Sequence, residues 1–154
     1  MTTELAGEVT QVADGARVIG TLAERYPAAL QALSAPRAAF FGAASGYLGP
    51  VCEQARPGRA GIRLRLDDLA RFSADATAAI PLLRAEIGQH LETFLLRVGE
   101  GLLLSNTRWL HGRDHYVGRR VTLRILGDPM PGTGIMPGFP FRAPLPGARK
   151  AWAA

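Results

Sequence analysis

The chain of 154 residues carries 18 Lys/Arg against 13 Asp/Glu, a net charge of +5, with 47% hydrophobic and 20% charged residues. That is one domain's worth of polypeptide, long enough to bury a core, and it holds no run of eighteen apolar residues from which a transmembrane helix is built. The basic residues are scattered, Asp67 and Asp68 follow Arg63 and Arg65, and Lys150 is the single lysine, so the positive balance forms no block suited to nucleic acid.

Met1-Thr-Thr-Glu-Leu-Ala has neither the basic segment nor the apolar stretch of a secretory signal. Cys52 stands alone, which leaves no internal disulfide and argues against a thiolate metal centre. A reducing cytoplasm is the expected compartment. Residues 1–14 read as a lead-in and a strand, with Val9, Gln11 and Ala13 alternating against Thr10, Val12 and Asp14. Asp14-Gly15 then opens a helix, Asp14 as N-cap and Val18, Leu22 and Tyr26 as apolar face. Pro27 interrupts it, and Ala28 to Leu33 continues helically because proline is tolerated in a first turn. Pro36 to Pro50, rich in Gly and Ala, is expected to be a strand or loop with Phe40, Phe41 and Tyr47 packed.

Arg56-Pro-Gly-Arg59 is a turn signal. Gly61 to Leu66 alternates with period two, predicting a half-buried strand with Ile62, Leu64 and Leu66 on one side and Arg63 and Arg65 on the other. A second helix is expected from Ser73 to about Leu96, on the spacing of Ile80, Leu83, Ile87, Leu91 and Leu95. Gly99-Glu-Gly101 ends it. Leu102 to Leu104 reads as a short buried strand within an apolar stretch leading to His111, and Gly118 as the turn into a last strand, Arg120 to Leu126. Beyond Asp128 the composition turns Pro/Gly-rich, so 129–154 is expected to be an extended or partly disordered tail.

His111, just after Leu102–Leu110 where a strand leads into a loop, has two readings: a ligand for iron, nickel or zinc, or a hydrogen-bonded turn histidine. Arg120 and Arg124 are four apart and so share a face of the predicted strand, separated by about 13 Å. They suit either the two ends of a dicarboxylate, which guanidinium groups grip bidentately, or a solvated basic edge.

Two segments together carry a family resemblance. Gly99-Glu-Gly-Leu-Leu-Leu-Ser-Asn-Thr-Arg-Trp-Leu-His111-Gly-Arg113, followed by Arg119-Arg120-Val-Thr-Leu-Arg124-Ile-Leu-Gly-Asp128, resembles the C-terminal signature of the TauD/TfdA, clavaminate-synthase-like Fe(II)/2-oxoglutarate dioxygenases. Ser105 stands where that signature often has Asp. Upstream, Ala6-Gly-Glu-Val-Thr10 running to Asp14-Gly15 is similar to the family's "GGET---DG" segment. The resemblance implies an α+β fold, a partial double-stranded β-helix (a cupin-like jelly roll) with helical insertions, over 1–128. It implies His111 as the distal iron ligand, Arg124 as anchor of the cosubstrate's far carboxylate, Arg120 as a second contact and Thr10 as a hydrogen-bond donor to that carboxylate. Fe(II) and 2-oxoglutarate are the implied cofactors, and a small molecule the implied substrate, with no nucleic acid or membrane as partner.

One part of the pattern is missing. The family's first two iron ligands, His-x-Asp/Glu, precede the GGET-like segment, whereas the one such triplet here, His90-Leu-Glu92, follows it and falls within the predicted second helix. Residues i and i+2 of a helix do not face one another. His115, four residues past His111, reads as a surface or substrate-pocket residue. The expectation is therefore a truncated dioxygenase or half of a split one, completed by a companion chain or a second copy. The alternative is a non-catalytic carboxylate-binding or partner subunit of the same descent.

Overall fold

In a computed structural model, residues 9–113, 123–130, 132–143 and 145 are described. Among them the chain forms β1 (Val9–Asp14), α1 (Gly15–Arg25), α2 (Pro27–Leu33), β2 (Ala39–Gly42), β3 (Gly46–Gly49), β4 (Cys52–Arg56), β5 (Arg59–Ile62), β6 (Ala70–Phe72), α3 (Ala74–Gln89), β7 (Leu91–Leu95), β8 (Trp109–Arg113) and β9 (Phe139–Pro140). The strands make three antiparallel sheets in the orders β7-β1-β8, β3-β2-β6 and β4-β5-β9. Helices and antiparallel sheets mix as an α+β fold, and the described strands do not close into a barrel.

The early elements follow local chemistry. Asp14 Oδ1 accepts the N–H of Ala16 at 3.0 Å, capping α1, and Val18, Ile19 and Leu22 turn its apolar face inward. Pro27 occupies the first turn of α2, where its missing N–H removes no helical bond. Ser73 caps α3 by accepting the Ala76 N–H at 3.3 Å, and Asp75 complements the dipole of the first turn. The core gathers these helices onto β4, β5 and β9, with Ile19, Leu22, Leu33, Val51, Cys52 and Leu83 fully buried. The aromatic-rich stretch after Pro36 is the hairpin of β2 and β3, and Phe41 meets Phe72 of β6 edge-to-face at 6.0 Å.

Later expectations need correction. The helix from Ser73 stops at Gln89, and Leu91–Leu95 is β7, paired with β1. The leucines at 91 and 95 misled because a spacing of four satisfies the helical repeat and the two-residue strand repeat alike, while Thr93 and Phe94 favour a strand. His90 is consequently the C-cap of α3, not part of its interior. The strand expected at Gly61–Leu66 lies at Arg59–Ile62, and Leu66 is partly exposed. Leu102 to Leu104 forms no strand, and Leu103 is fully exposed. Residues 123–126 of the expected last strand are irregular as well; Arg120 and the rest of its start lie outside the described residues.

Part of the Pro/Gly-rich segment packs onto the core. Phe139 and Leu145 enter the core, and β9 pairs with β5. Arg59 draws this segment in, its guanidinium donating to the carbonyls of Pro137 at 3.0 Å and Gly138 at 2.6 Å. Gly138 has φ +72°, and a side chain there would collide with the carbonyl of Ala60.

Candidate functional site

The turn before β8 binds the sheets to one another. The N–H groups of Arg108 and Trp109 both reach the carbonyl of Ser105, each at 2.9 Å, closing the turn. Thr107 then uses its carbonyl to accept from Ile62 N–H at 3.0 Å and its hydroxyl oxygen to accept from Gly138 N–H at 2.7 Å. Arg108 faces the other way. Its carbonyl accepts from Gly15 N–H at 2.9 Å, and its guanidinium forks onto Asp14, Nε to Oδ1 at 2.9 Å and Nη2 to Oδ2 at 2.7 Å. Arg108, whose hydrogen bond to Asp14 is the leading cause, holds that carboxyl below its ordinary value.

From this anchor β8 runs antiparallel to β1, with Asp14 opposite Trp109, Val12 opposite His111 and Thr10 opposite Arg113. Residues paired across strands share a face. His111 and Thr10 therefore lie on one face of this sheet as diagonal neighbours, about 7–8 Å apart at Cα and within reach of side chains of imidazole length. His111 is exposed and Thr10 half-buried. His111 sits within β8 rather than in the loop the sequence suggested.

Glu92 shares that face, since Val12 pairs with Glu92 on its other side. Glu92 and His111 flank Val12 on that face, two strand spacings or about 9–10 Å apart. No group of three His, Cys, Asp or Glu side chains able to hold a metal ion forms among the described residues. The described residues thus offer Fe(II) fewer than three clustered ligands, and by themselves they do not fit the ion. Arg124 lies in the irregular, exposed stretch 123–130 with no ion pair among the described residues, while Arg120 and His115 fall outside them.

Tyr47, Arg63, Arg65 and Trp109 do not share one site. The Arg63 guanidinium stacks 4.0 Å above the Tyr47 ring, whose hydroxyl donates to Glu53 Oε2 at 3.3 Å; Arg65 instead pairs with Asp67 on the surface. Trp109 begins β8, with Arg108 5.5 Å over its ring. Two open clefts, of about 610 Å³ between α2 and α3 and about 630 Å³ beside Ala55–Pro57 and Pro137, are lined by neither His111 nor Thr10. Sequence reading missed Arg108. Its place three residues before His111 in an Asn-Thr-Arg turn was visible, but its partner lies 94 residues away.

Residues 2–126 match the family "Taurine catabolism dioxygenase TauD, TfdA family". No curated protein matches the chain. Among solved structures, it resembles asparagine oxygenase in complex with Fe(II), 2S,3S-3-hydroxyasparagine and succinate, with TM-score 0.58 and 19% identity over 75% of this chain and 37% of that one. It also resembles the non-heme iron oxygenase OrfP in complex with Fe and alpha-ketoglutaric acid, with TM-score 0.53 and 20% identity over 74% of this chain and 37% of that one. At such identities the likeness is one of fold, and the chain spans little more than a third of the length of either structure.

Proposed function

From the premise that the chain belongs to the TauD/TfdA dioxygenase family, we propose that it contributes the distal part of an Fe(II)/2-oxoglutarate-dependent oxygenase site acting on a small molecule. His111 is one iron ligand in this reading. Thr10, with Arg124 and Arg120, holds the far carboxylate of 2-oxoglutarate, and the described sheets are part of a double-stranded β-helix. The observation that carries it is the pairing of β1 and β8, which sets His111 and Thr10 on the same face of one sheet. Iron, when bound, supplies the redox chemistry that couples oxygen and 2-oxoglutarate to oxidation of a substrate carbon.

The two further iron ligands come from polypeptide outside the described residues, as a preceding segment, a companion chain or a second copy. A facial triad needs two imidazoles and a carboxylate with positions left open, and one imidazole does not meet that need. The same shortfall favours a second reading, a carboxylate-binding or partner subunit without redox chemistry.

Calorimetry separates the two. On the oxygenase reading, the chain alone shows no Fe(II)-dependent binding of 2-oxoglutarate. Joined to, or mixed with, a family segment carrying His-x-Asp, it gains such binding and oxygen consumption, and His111→Ala removes both. Iron-independent binding of 2-oxoglutarate by the chain alone, lost in Arg124→Ala, would instead establish the partner subunit.

A further inference from the structure

We propose that Asp14 and Arg108 are positioning residues: their ion pair sets the register of β8 on β1, and with it the face on which His111 stands. That this face serves iron and 2-oxoglutarate rests on the function proposed above; the control of register does not.

The register needs a device of its own. In a hairpin the connecting turn dictates which residues pair, but β1 and β8 are joined through most of the chain, so no short loop sets their alignment. The side chains of β8 give it one anchor in the core, with Trp109 half-buried. Leu110 packs against the core, Gly112 has no side chain, and His111 is exposed. Among the described residues β8 has one neighbour in its sheet, β1. A slip of one residue would exchange the faces of the strand, turning His111 toward the side where Leu110 now packs and away from Thr10.

The Asp14–Arg108 contact is built to resist that slip. The carboxylate is 13% exposed and accepts from Arg108 through both oxygens, while Oδ1 also receives the N–H of Ala16. Asp14 is thereby fixed to the start of α1 as well as to Arg108. The backbone repeats the link, Gly15 N–H meeting the Arg108 carbonyl at 2.9 Å. Residue 15 has no room for a side chain, because a Cβ would stand 2.5 Å from that oxygen and 2.5 Å from Ile62 Cγ2. Moving β8 by one residue shifts Arg108 about 3.3 Å along the strand, more than bonds of 2.7 and 2.9 Å tolerate. A planar fork suits the task where an ammonium does not, since two parallel donors fix direction as well as distance.

The test is nuclear magnetic resonance on the full chain with Arg108→Lys, which keeps charge and loses the fork, and Asp14→Asn, which keeps an oxygen for capping α1. Arg65→Gln, breaking the exposed pair with Asp67, is the control. In the wild type and the control, cross-strand contacts connect Val12 with His111 and Thr10 with His111. In the two clamp variants these weaken or shift by one residue, and amide protection in β8 falls about tenfold or more while α3 and β5 keep theirs. Unchanged Val12–His111 contacts in both variants would overturn the proposal, as would protection falling equally in every element. Should Asp14→Asn fail to fold, Arg108→Lys decides. If the calorimetry above shows no oxygenase chemistry, these contacts are unaffected, so the two failures are distinct.

Discussion

Asp14 shows how one residue can be half legible. Its role as a helix cap follows from a bond to Ala16, two residues away, and the sequence indicated it directly. Its ion pair with Arg108 spans 94 residues, and no local pattern announces a contact of that range. The pairing has a pH signature. Because the folded carboxyl lies below its ordinary value of 3.8, its contribution is fully present above that value and is lost as pH falls through the lowered folded one. Arg108 stays charged throughout and adds no window of its own. Asp14→Asn is therefore expected to destabilise the chain by about 1–2 kcal/mol near neutral pH, the 39% exposure of Arg108 discounting the usual strength of a charged hydrogen bond. The difference from wild type should shrink once pH drops below about 4. Urea unfolding of both proteins across that range measures it, and a gap that stays constant into acid would rule out the ion pair as its source.

Elements were legible where periodicity was unambiguous or capped. β1, α1 and α2 carry alternation, an N-cap and a first-turn proline, and the structure agrees with each. β7 was hidden because its leucines satisfy two repeats at once, and β9 because two residues in a Pro/Gly-rich stretch carry no periodicity at all. What makes β9 an element is tertiary: the Arg59 guanidinium holding the carbonyls of Pro137 and Gly138, and Phe139 at 1% exposure in the core. Phe139→Ala should accordingly cost about 3–5 kcal/mol, the usual penalty for emptying a buried phenylalanine site. Chemical denaturation measures that loss, and a change below about 1 kcal/mol would mean that this segment is dispensable to the core.

At the scale of the molecule, membership of the family was legible from two short motifs. The state of the surface was not, because exposure depends on what covers a side chain and not on its type. Leu95, Val98, Leu103, Leu123, Ile125 and Met130 are each more than 60% exposed. Fully burying one such side chain is worth about 1.5–3 kcal/mol, so six together rival the 5–15 kcal/mol by which a whole domain is commonly stable. Matched structures extend far beyond the part this chain covers, 37% in the case of asparagine oxygenase, and on the function proposed above a larger polypeptide or a partner covers these side chains. The chain alone is then expected to bind a hydrophobic dye such as anilinonaphthalene sulfonate and to scatter light increasingly with concentration. Replacing Leu103 and Ile125 by serine should reduce both signals with the far-ultraviolet circular dichroism unchanged, since neither side chain supports the core. A monodisperse monomer that leaves the dye dark would show that these side chains need no cover.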